Sequence, residues 1–269
     1  MKSFAFVSIG IALPFLLAGG AQAQFGTPSG ILSGLDRPTV HPPIDMDNDG
    51  DLDLVLQDDT GKVAFWLENT DGQGNFILAD TFGTGLPINA KIAMGDLFLD
   101  GYPDMVVAVN DTIRYREQNT LGQWGAPALV QGGVNVTVVR IADMTGDTLP
   151  EIVTLRGTPF DLIWYHNTAT PPFSTSTTLG ITGGPAPGDL DIADLNGDGF
   201  RDAFCMNWNG NGVAALSLDA LGTQWEVDTL FSGLYLDQAE VLDLDGDGDM
   251  DIAKRNGIGV QWMRNNGNG

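Results

Sequence analysis

The sequence has 269 residues, with 35 acidic and 12 basic side chains, a formal net charge of −23 at pH 7 and a single cysteine, Cys205. So strong a negative charge disfavours binding to nucleic acid or to an anionic membrane surface, and one cysteine excludes an intramolecular disulfide, so an exported fold would need another means of stabilisation. Glycine occurs 36 times, almost twice its usual share of about 7%, which predicts many tight turns.

The chain begins with a segment typical of a secretory signal peptide. Lys2 supplies a basic start, residues 4–17 an apolar stretch, and residues 21–23 a small-x-small cleavage site. A membrane anchor is the less favoured interpretation, because the apolar stretch is shorter than the ~20 residues that a spanning helix needs. We therefore predict a signal peptide over residues 1–23 and a protein that is secreted to an extracellular or periplasmic location, without membrane insertion.

Five copies of an aspartate-rich loop organise the mature sequence. They read DMDNDGDLD (45–53), DLFLDGYPD (96–104), DMTGDTLPE (143–151), DLNGDGFRD (194–202) and DLDGDGDMD (243–251). Their first residues are separated by 51, 47, 51 and 49 positions. A constant period of about 50 residues indicates a repeat architecture, and here it extends over the whole mature chain.

Each loop is followed by a pattern of short strands. An apolar or β-branched run comes first, then a turn rich in glycine or asparagine, then a second run such as VAFWLEN or VQWMRN. Short runs bounded by turn residues read as strands, and no segment has sustained helical periodicity. A polar turn then ends in an aromatic residue: Phe76, Trp124, Phe173 or Trp225. The pattern predicts an all-β fold, a β-propeller of five blades with four antiparallel strands each, as a single domain over residues 24–269.

The fifth unit stops early, and the start of the mature chain supplies what it lacks. After Asn265 only a few polar residues follow, whereas the other units reach an aromatic residue and a further strand. Phe25 precedes Asp45 by 20 residues, and Phe76 precedes Asp96 by the same distance. We therefore predict that the N-terminal segment forms the last strand of the fifth unit, so that both termini share one blade and the ring has no open edge.

The loops have the composition of calcium sites. Positions 1, 3 and 5 present side-chain oxygens, position 7 a backbone carbonyl and position 9 a carboxylate, while glycine at position 6 allows a sharp turn. Oxygen ligands in a flexible loop suit calcium better than magnesium. EF-hand and dockerin-like loops are excluded, because strands flank the loops and position 12 is not glutamate. The residues at position 12 are Leu56, Val107, Thr154, Cys205 and Lys254.

The five loops are not equally complete. The first, fourth and fifth carry oxygen ligands at every side-chain position, the second has Phe98 at position 3, and the third has Thr145 at position 3 and Thr148 in place of glycine. We predict three strong calcium sites and up to five in all. The candidate ligands, including backbone carbonyls at position 7, are Asp45, Asp47, Asp49, Asp51, Asp53, Asp96, Asp100, Tyr102, Asp104, Asp143, Thr145, Asp147, Glu151, Asp194, Asn196, Asp198, Phe200, Asp202, Asp243, Asp245, Asp247, Asp249 and Asp251.

These features together resemble a known repeat family. The loops, the VxWYxN-like second strands and the WGAP sequence at residues 124–127 resemble FG-GAP/VCBS repeats, the calcium-loop blades of the integrin α-subunit propeller and of many secreted bacterial proteins. Integrin-type propellers have seven blades, so five departs from that pattern. Because the family includes adhesion modules, lectins and lyase-associated domains, the resemblance implies a carbohydrate- or protein-binding or adhesion module of the secreted bacterial type.

Signatures of an enzyme are scarce. His41 and His166 lie in different repeats, and the sequence contains no nucleophile elbow, phosphate-binding loop or zinc-ligand spacing. Catalysis is therefore the less favoured interpretation. A polysaccharide-active enzyme of lyase type stays open as an alternative, and a purely structural extracellular component is a third.

The order of the strands suggests where a ligand would bind. The acidic loops all join the same two strands and should share one face of the ring, which leaves the other turns and the inter-blade connections to the opposite face. The candidate ligand residues there are Trp208, Arg156, Tyr235, Phe160, Asn207 and Arg255. By contrast, Trp66, Trp164 and Trp262 recur three residues before an asparagine and are expected in the core, as is Cys205. We predict a monomer that binds a glycan or an extracellular protein.

Overall fold

The computed structural model describes residues 30–36, 38–58, 62–82, 86–87, 89–109, 111–133, 135–157, 160–168, 172–181, 187–207, 211–232, 239–255 and 259–267. The predicted signal peptide lies outside these residues. Residues 1–33 and 34–269 are separate units, and in the first unit only the exposed residues 30–33 are described. The described part of the second unit contains strands and turns and no helix, so none of its elements is an apolar helix that could cross a membrane.

The strands of the second unit form five antiparallel sheets, which we call blades one to five. Blade one contains β1 (Pro38–Val40), β2 (Leu54–Asp58), β3 (Val63–Asn69) and β4 (Phe76–Phe82). Blade two contains β5 (Lys91–Gly95), β6 (Asp104–Val109), β7 (Thr112–Arg116) and β10 (Ala128–Gly132), with a small hairpin of β8 (Gln118–Thr120) and β9 (Gln123–Trp124) before its last strand.

The remaining three blades repeat this arrangement. Blade three contains β11 (Val136–Ala142), β12 (Glu151–Gly157), β13 (Phe160–Tyr165) and β14 (Ser176–Gly180). Blade four contains β15 (Pro187–Ala193), β16 (Asp202–Asn207), β17 (Gly212–Ser217) and β18 (Trp225–Phe231). Blade five has three described strands, β19 (Ala239–Leu242), β20 (Asp251–Arg255) and β21 (Val260–Met263). The predicted five-bladed β-propeller is confirmed.

The acidic loops occupy one end of the blades. Each of them joins the first strand of a blade to the second, as the pairs β5–β6 and β11–β12 illustrate. The first strands of neighbouring blades contact one another, β5 with β11, β11 with β15 and β15 with β19, so they are the inner strands of the ring. The loops therefore follow the C-terminal ends of the inner strands, and the other ends of these strands face away from the loops.

Apolar clusters hold consecutive blades together. The described residues form four of them, between blades one and two, two and three, three and four, and four and five. The aromatic residue that ends the polar turn of one blade packs against an aromatic residue of the preceding blade. Such pairs are Phe82 with Trp124, Tyr115 with Phe173, and Trp164 with Trp225, with ring centroids 5.3, 5.3 and 5.1 Å apart. Pairs at this separation stabilise beyond their buried area, which explains why an aromatic residue recurs there.

The recurring tryptophans of the third strands differ between blades. Trp66 and Trp164 are buried, at 5% and 0% exposure, as predicted. Trp262 is 51% exposed, and the prediction that it lies in the core is wrong for the described residues. The cause is its position in β21, the last described strand of blade five, where no described residue covers the ring. Val260 on the same strand is 79% exposed.

Blade five also lacks a described contact with blade one. Position 2 of the acidic loop is buried at Met46, Leu97 and Leu195, whereas the equivalent Leu244 is 43% exposed. Among the described residues, no apolar cluster joins blade five to blade one. Phe25, which we predicted in a completing fourth strand, lies outside the described residues, so closure by the N-terminal segment stays a prediction.

Cys205 behaves as the sequence predicts. It lies in β16, is fully buried and belongs to the cluster between blades three and four. Burial raises the pKa of its thiol far above the ordinary value, so the thiol stays protonated and unreactive at neutral pH.

Candidate metal centres

The aspartate at position 1 folds each loop around its own carboxylate. Asp45 accepts hydrogen bonds from the backbone N–H groups of Asn48 (2.7 Å) and Gly50 (2.9 Å). Asp194 and Asp243 accept the equivalent pairs in loops four and five. These bonds fix the backbone, so that the side chains at positions 3 and 5 are held around a common centre.

Two positions of every loop have left-handed backbone. Position 6 is a glycine with φ near 90° in four loops, as at Gly50, but in loop three it is Thr148 with φ 75°. Position 4 is also left-handed in all five loops, including Asn48 and Leu99, which the sequence analysis missed. A β-branched residue in this region is strained, by about 1–3 kcal/mol. Loop three therefore keeps the common fold at the expense of strain at Thr148.

The carboxylate at position 9 connects each loop to the third strand of its blade. Asp53 Oδ2 accepts the backbone N–H of Met46 (3.0 Å) and the indole N–H of Trp66 (3.0 Å), and Asp53 Oδ1 accepts the backbone N–H of Asn69 (2.8 Å). The other four loops repeat both backbone contacts. All five of these carboxylates are at most 1% exposed: Asp53, Asp104, Glu151, Asp202 and Asp251. Sequence reasoning predicted this group only as a metal ligand.

The asparagine that ends the third strand joins neighbouring blades. The side-chain amide of Asn167 in blade three donates to the carbonyl of Leu97 in loop two (2.5 Å). Asn265 in blade five makes the same contact with Leu195 in loop four (2.5 Å). Asn167 and Asn265 therefore anchor the loop of the preceding blade, a role that the spacing of the motif alone did not indicate.

Burial disfavours the ionised form of some of the position 9 carboxylates. It raises the pKa of Asp104 and of Glu151 to about 7, although the backbone N–H groups that they accept oppose the shift. Burial also raises the pKa of Asp202. The carboxylates at positions 1 and 5 of the same loops add to the increase in pKa. A nearby positive charge would favour the ionised forms.

Two loops gather three carboxylates at one point. One carboxylate oxygen from each of Asp45, Asp47 and Asp49 lies within 4.8 Å of the others, and Asp243, Asp245 and Asp251 do the same in loop five. In loop four, position 3 is Asn196, whose amide donates to Asp198 (2.9 Å). Oxygen-only donor sets of this kind fit a hard divalent cation.

The residue before the recurring asparagine places a charge beside the loop, and its sign varies. In loop five Arg264 lies 2.7 Å from Asp245 Oδ2 through Nε and 2.8 Å from Asp247 Oδ2 through Nη2. In blade one the equivalent residue is Glu68. Burial and the charges of Asp49 and Asp53 raise the pKa of Asp47, and the negative charge of Glu68 adds a smaller increase. The two loops with clustered carboxylates therefore have opposite electrostatic surroundings.

The predicted ligand residues do not come together in one described site. Arg156 lies near the C-terminal end of β12, before the turn to β13, and forms an ion pair with Asp161. Phe160 is only 8% exposed and belongs to the cluster between blades three and four, so its ring offers little surface to a ligand. Arg255 is an exposed residue at the end of β20, and Asn207 ends β16. Trp208 and Tyr235 lie outside the described residues.

The family comparison agrees with the repeat pattern. Residues 45–107 match the sequence profile of the FG-GAP-like repeat, a stretch that runs from loop one through blade one to the second strand of blade two. This stretch is similar to an FG-GAP-like repeat. The match confirms the resemblance that the loops and second strands predicted. The other loops share the fold of the one in the FG-GAP-like repeat, down to the buried position 9 carboxylate.

Solved structures show the same fold at low sequence identity. An Agrocybe aegerita lectin, described for its specific recognition of non-reducing terminal N-acetylglucosamine, is 18% identical, with a TM-score of 0.62 over 86% of this chain. A Lactobacillus plantarum protein is 12% identical, with a TM-score of 0.51 over 79% of this chain. The alignments span 64% of each of those chains. No curated protein sequence matches this chain at a significant level.

Proposed function

We propose that this protein is a secreted calcium-binding propeller that acts as a binding module for a glycan or an extracellular protein. Calcium binding is supported by the three carboxylates that lie within 4.8 Å of one another in loop one and again in loop five. It is also supported by the match of residues 45–107 to an FG-GAP-like repeat. Secretion rests on the predicted signal peptide over residues 1–23.

Electrostatics supports a cation in these loops. Two carboxylates ~4 Å apart repel by about 4 kcal/mol at an effective dielectric constant of ~20, and each complete loop contains several such pairs. Asp45, Asp47 and Asp49 would hold the ion in loop one, together with the carbonyl of Asp51. A bound calcium ion supplies a positive charge that turns the repulsion into attraction. Extracellular calcium at millimolar concentration suffices even for sites with a Kd of roughly 10⁻⁴ to 10⁻³ M.

Arg264 provides a test that is specific to one loop. Arg264→Gln is expected to strengthen calcium binding by loop five roughly fivefold, because it removes a cation that competes for two carboxylates. Glu68→Gln, the matched change in blade one, is expected to weaken binding by loop one. Calcium titrations followed by NMR resolve the loops through the position 6 amides of Gly248 and Gly50. An unchanged midpoint for Gly248 in Arg264→Gln would show that the guanidinium does not compete with the ion.

Ligand recognition is proposed for the face opposite the acidic loops. The propeller scaffold supports a binding role, and a similar fold serves glycan recognition in the Agrocybe aegerita lectin. The sequence predicts that turns on this face carry Trp208, Arg156 and Tyr235, each at a position that does not recur between repeats. Aromatic rings and planar hydrogen-bonding groups suit stacking on sugars and bidentate contacts.

Binding to glycan arrays and to extracellular proteins, with and without calcium, tests this proposal. Trp208→Ala and Arg156→Ala are expected to weaken the detected interaction roughly thirtyfold, the effect of losing a hot-spot contact of ~2 kcal/mol, without changing the calcium-dependent melting curve. Asp161→Asn is the control, because it weakens the ion pair of Arg156 and keeps the guanidinium. Normal binding by both alanine variants, with loss of binding on substitution of the loops, would assign recognition to the other face.

A further inference from the structure

A cavity of about 270 Å³ lies between the inner strands of the propeller. Four blades contribute to its wall: residues 39–42 at and after the end of β1, residues 89–92 at the start of β5, residues 137–140 within β11, and residues 188 and 189 at the start of β15. The polar side chains that matter for recognition are His41, Gln57, Asn89, Lys91, Arg140 and Asp189. We call this space the axial cavity. None of the acidic-loop residues lines it.

The axial cavity brings two cations and one carboxylate together in a strongly acidic protein. Of only 12 basic residues in the chain, two line this one space, Lys91 and Arg140. Lys91 is exposed, and Arg140 is partly exposed, with Nη1 on the carbonyl of Val139 (3.1 Å) and Nη2 on Asp189 Oδ1 (3.1 Å). A guanidinium has five N–H donors, so Arg140 keeps donors for a further acceptor. A carboxylate is the planar acceptor that best matches it.

Neutral and acidic hydrogen-bonding groups line the same cavity as these two cations. The Nε2 atom of His41 is buried, and no group in the described part of the chain forms a hydrogen bond with it. Burial lowers the pKa of His41 to about 4, so its imidazole is neutral at pH 7 and suits a hydroxyl partner. Asp189 accepts from Arg140 and has further lone pairs for hydroxyl donors. An unpaired buried nitrogen costs about 1–3 kcal/mol, which a ligand hydroxyl would offset.

The mixture of groups narrows the class of ligand. A free metal ion is disfavoured by the two cations, and a polyphosphate by Asp189 and by the neutral imidazole of His41. The volume of about 270 Å³ suits one ring-sized group. What remains is a compact molecule that carries a single carboxylate and several hydroxyls.

We propose that the axial cavity binds one carboxylate-bearing sugar residue, such as the terminal uronate of an acidic glycan, with Arg140 and Lys91 at the carboxylate and His41 and Asp189 at the hydroxyls. This inference rests on the proposed binding function and specifies the class of its ligand. It uses residues that are separate from Trp208, Arg156 and Tyr235, so the two can fail independently.

The test measures binding of free sugars to the full mature protein by calorimetry and saturation-transfer NMR. Glucuronate and galacturonate are expected to bind, and glucose and galactose, which lack the carboxylate, to bind at least about tenfold more weakly, the effect of losing a charge-assisted pair. Gluconate, an open-chain hydroxy acid, distinguishes recognition of the ring from recognition of any hydroxylated carboxylate and is expected to bind more weakly than the uronates.

Two variants locate the site. Arg140→Gln and Lys91→Gln are each expected to weaken uronate binding roughly tenfold, whereas Arg114→Gln, at an exposed arginine of β7 outside the cavity, is expected to leave it unchanged. Lys91 is exposed, so its substitution should not affect folding, and a melting curve checks Arg140→Gln. Equal binding of uronate and glucose, equal binding of gluconate, or full affinity in both variants would overturn the inference. Glycan or protein binding that persists in these variants would still support the proposed function.

Discussion

Removal of calcium with a chelator is expected to lower the melting temperature of the purified protein by roughly 15–30 °C, and added calcium to restore it. A ligand that binds only the native state stabilises it by about 2.7 kcal/mol per site at a hundredfold excess over Kd. Three complete loops would together contribute roughly 8 kcal/mol, and each kcal/mol shifts the melting temperature of a domain of this size by about 2–4 °C.

The measurement is a set of thermal melts of one preparation in chelator, in calcium and in magnesium. Magnesium is expected to restore little, because the loops are flexible and magnesium requires stricter octahedral geometry. Elemental analysis of the chelated sample confirms that the metal has left. Superimposable melts in chelator and in calcium would contradict a stabilising role for the ions and would leave the acidic loops as hydrogen-bonded turns.

The features that follow from local sequence were predictable. Loop, strand and turn signals repeat within each unit of about 50 residues, and each can be read without knowledge of neighbouring blades. Trp124 and Phe173 also follow from this pattern, because an aromatic residue at a constant place in a repeat has the same neighbour each time. The number of blades and the pairing of their strands follow from the same period.

The features that depend on neighbouring blades were not predictable. Trp262 has the same sequence context as Trp164, yet Trp164 is buried under Trp225 of the next blade and Trp262 is 51% exposed. Phe160 seemed a turn residue, but it opens β13 with its side chain in the core. Local patterns define which residues face out of a strand, and the adjacent blade decides whether they are covered.

The residues of the axial cavity also could not be predicted from the pattern of a single repeat. His41, Lys91, Arg140 and Asp189 come from four different repeats, and no two of them share a short motif. Each is an ordinary polar residue within or next to the first strand of its blade. Only the convergence of the inner strands places them around one space, so a search for binding residues within single repeats could not have found them.

Asp53→Ala is expected to destabilise the protein by several kcal/mol, with or without calcium. Asp53 is 1% exposed and accepts three buried N–H groups, those of Met46, Trp66 and Asn69. Truncation leaves these donors without a partner, at about 1–3 kcal/mol each. Loop one would then lose its connection to β3. Met46 and Trp66 belong to the core between blades one and two, and both would lose the Asp53 carboxylate that orients them.

Asp49→Ala is the matched control, because the two aspartates have different positions in the same loop. Asp49 is exposed and accepts the backbone N–H of Asp51 within its own loop, so its loss removes a candidate calcium ligand and little else. Urea unfolding of both variants in chelator and in calcium separates the two roles. Asp49→Ala should match the wild type in chelator and be less stable in calcium, whereas Asp53→Ala should be less stable in both. Should Asp53→Ala match the wild type in chelator, the carboxylate at position 9 would act only through the ion, and its hydrogen bonds would contribute nothing to folding.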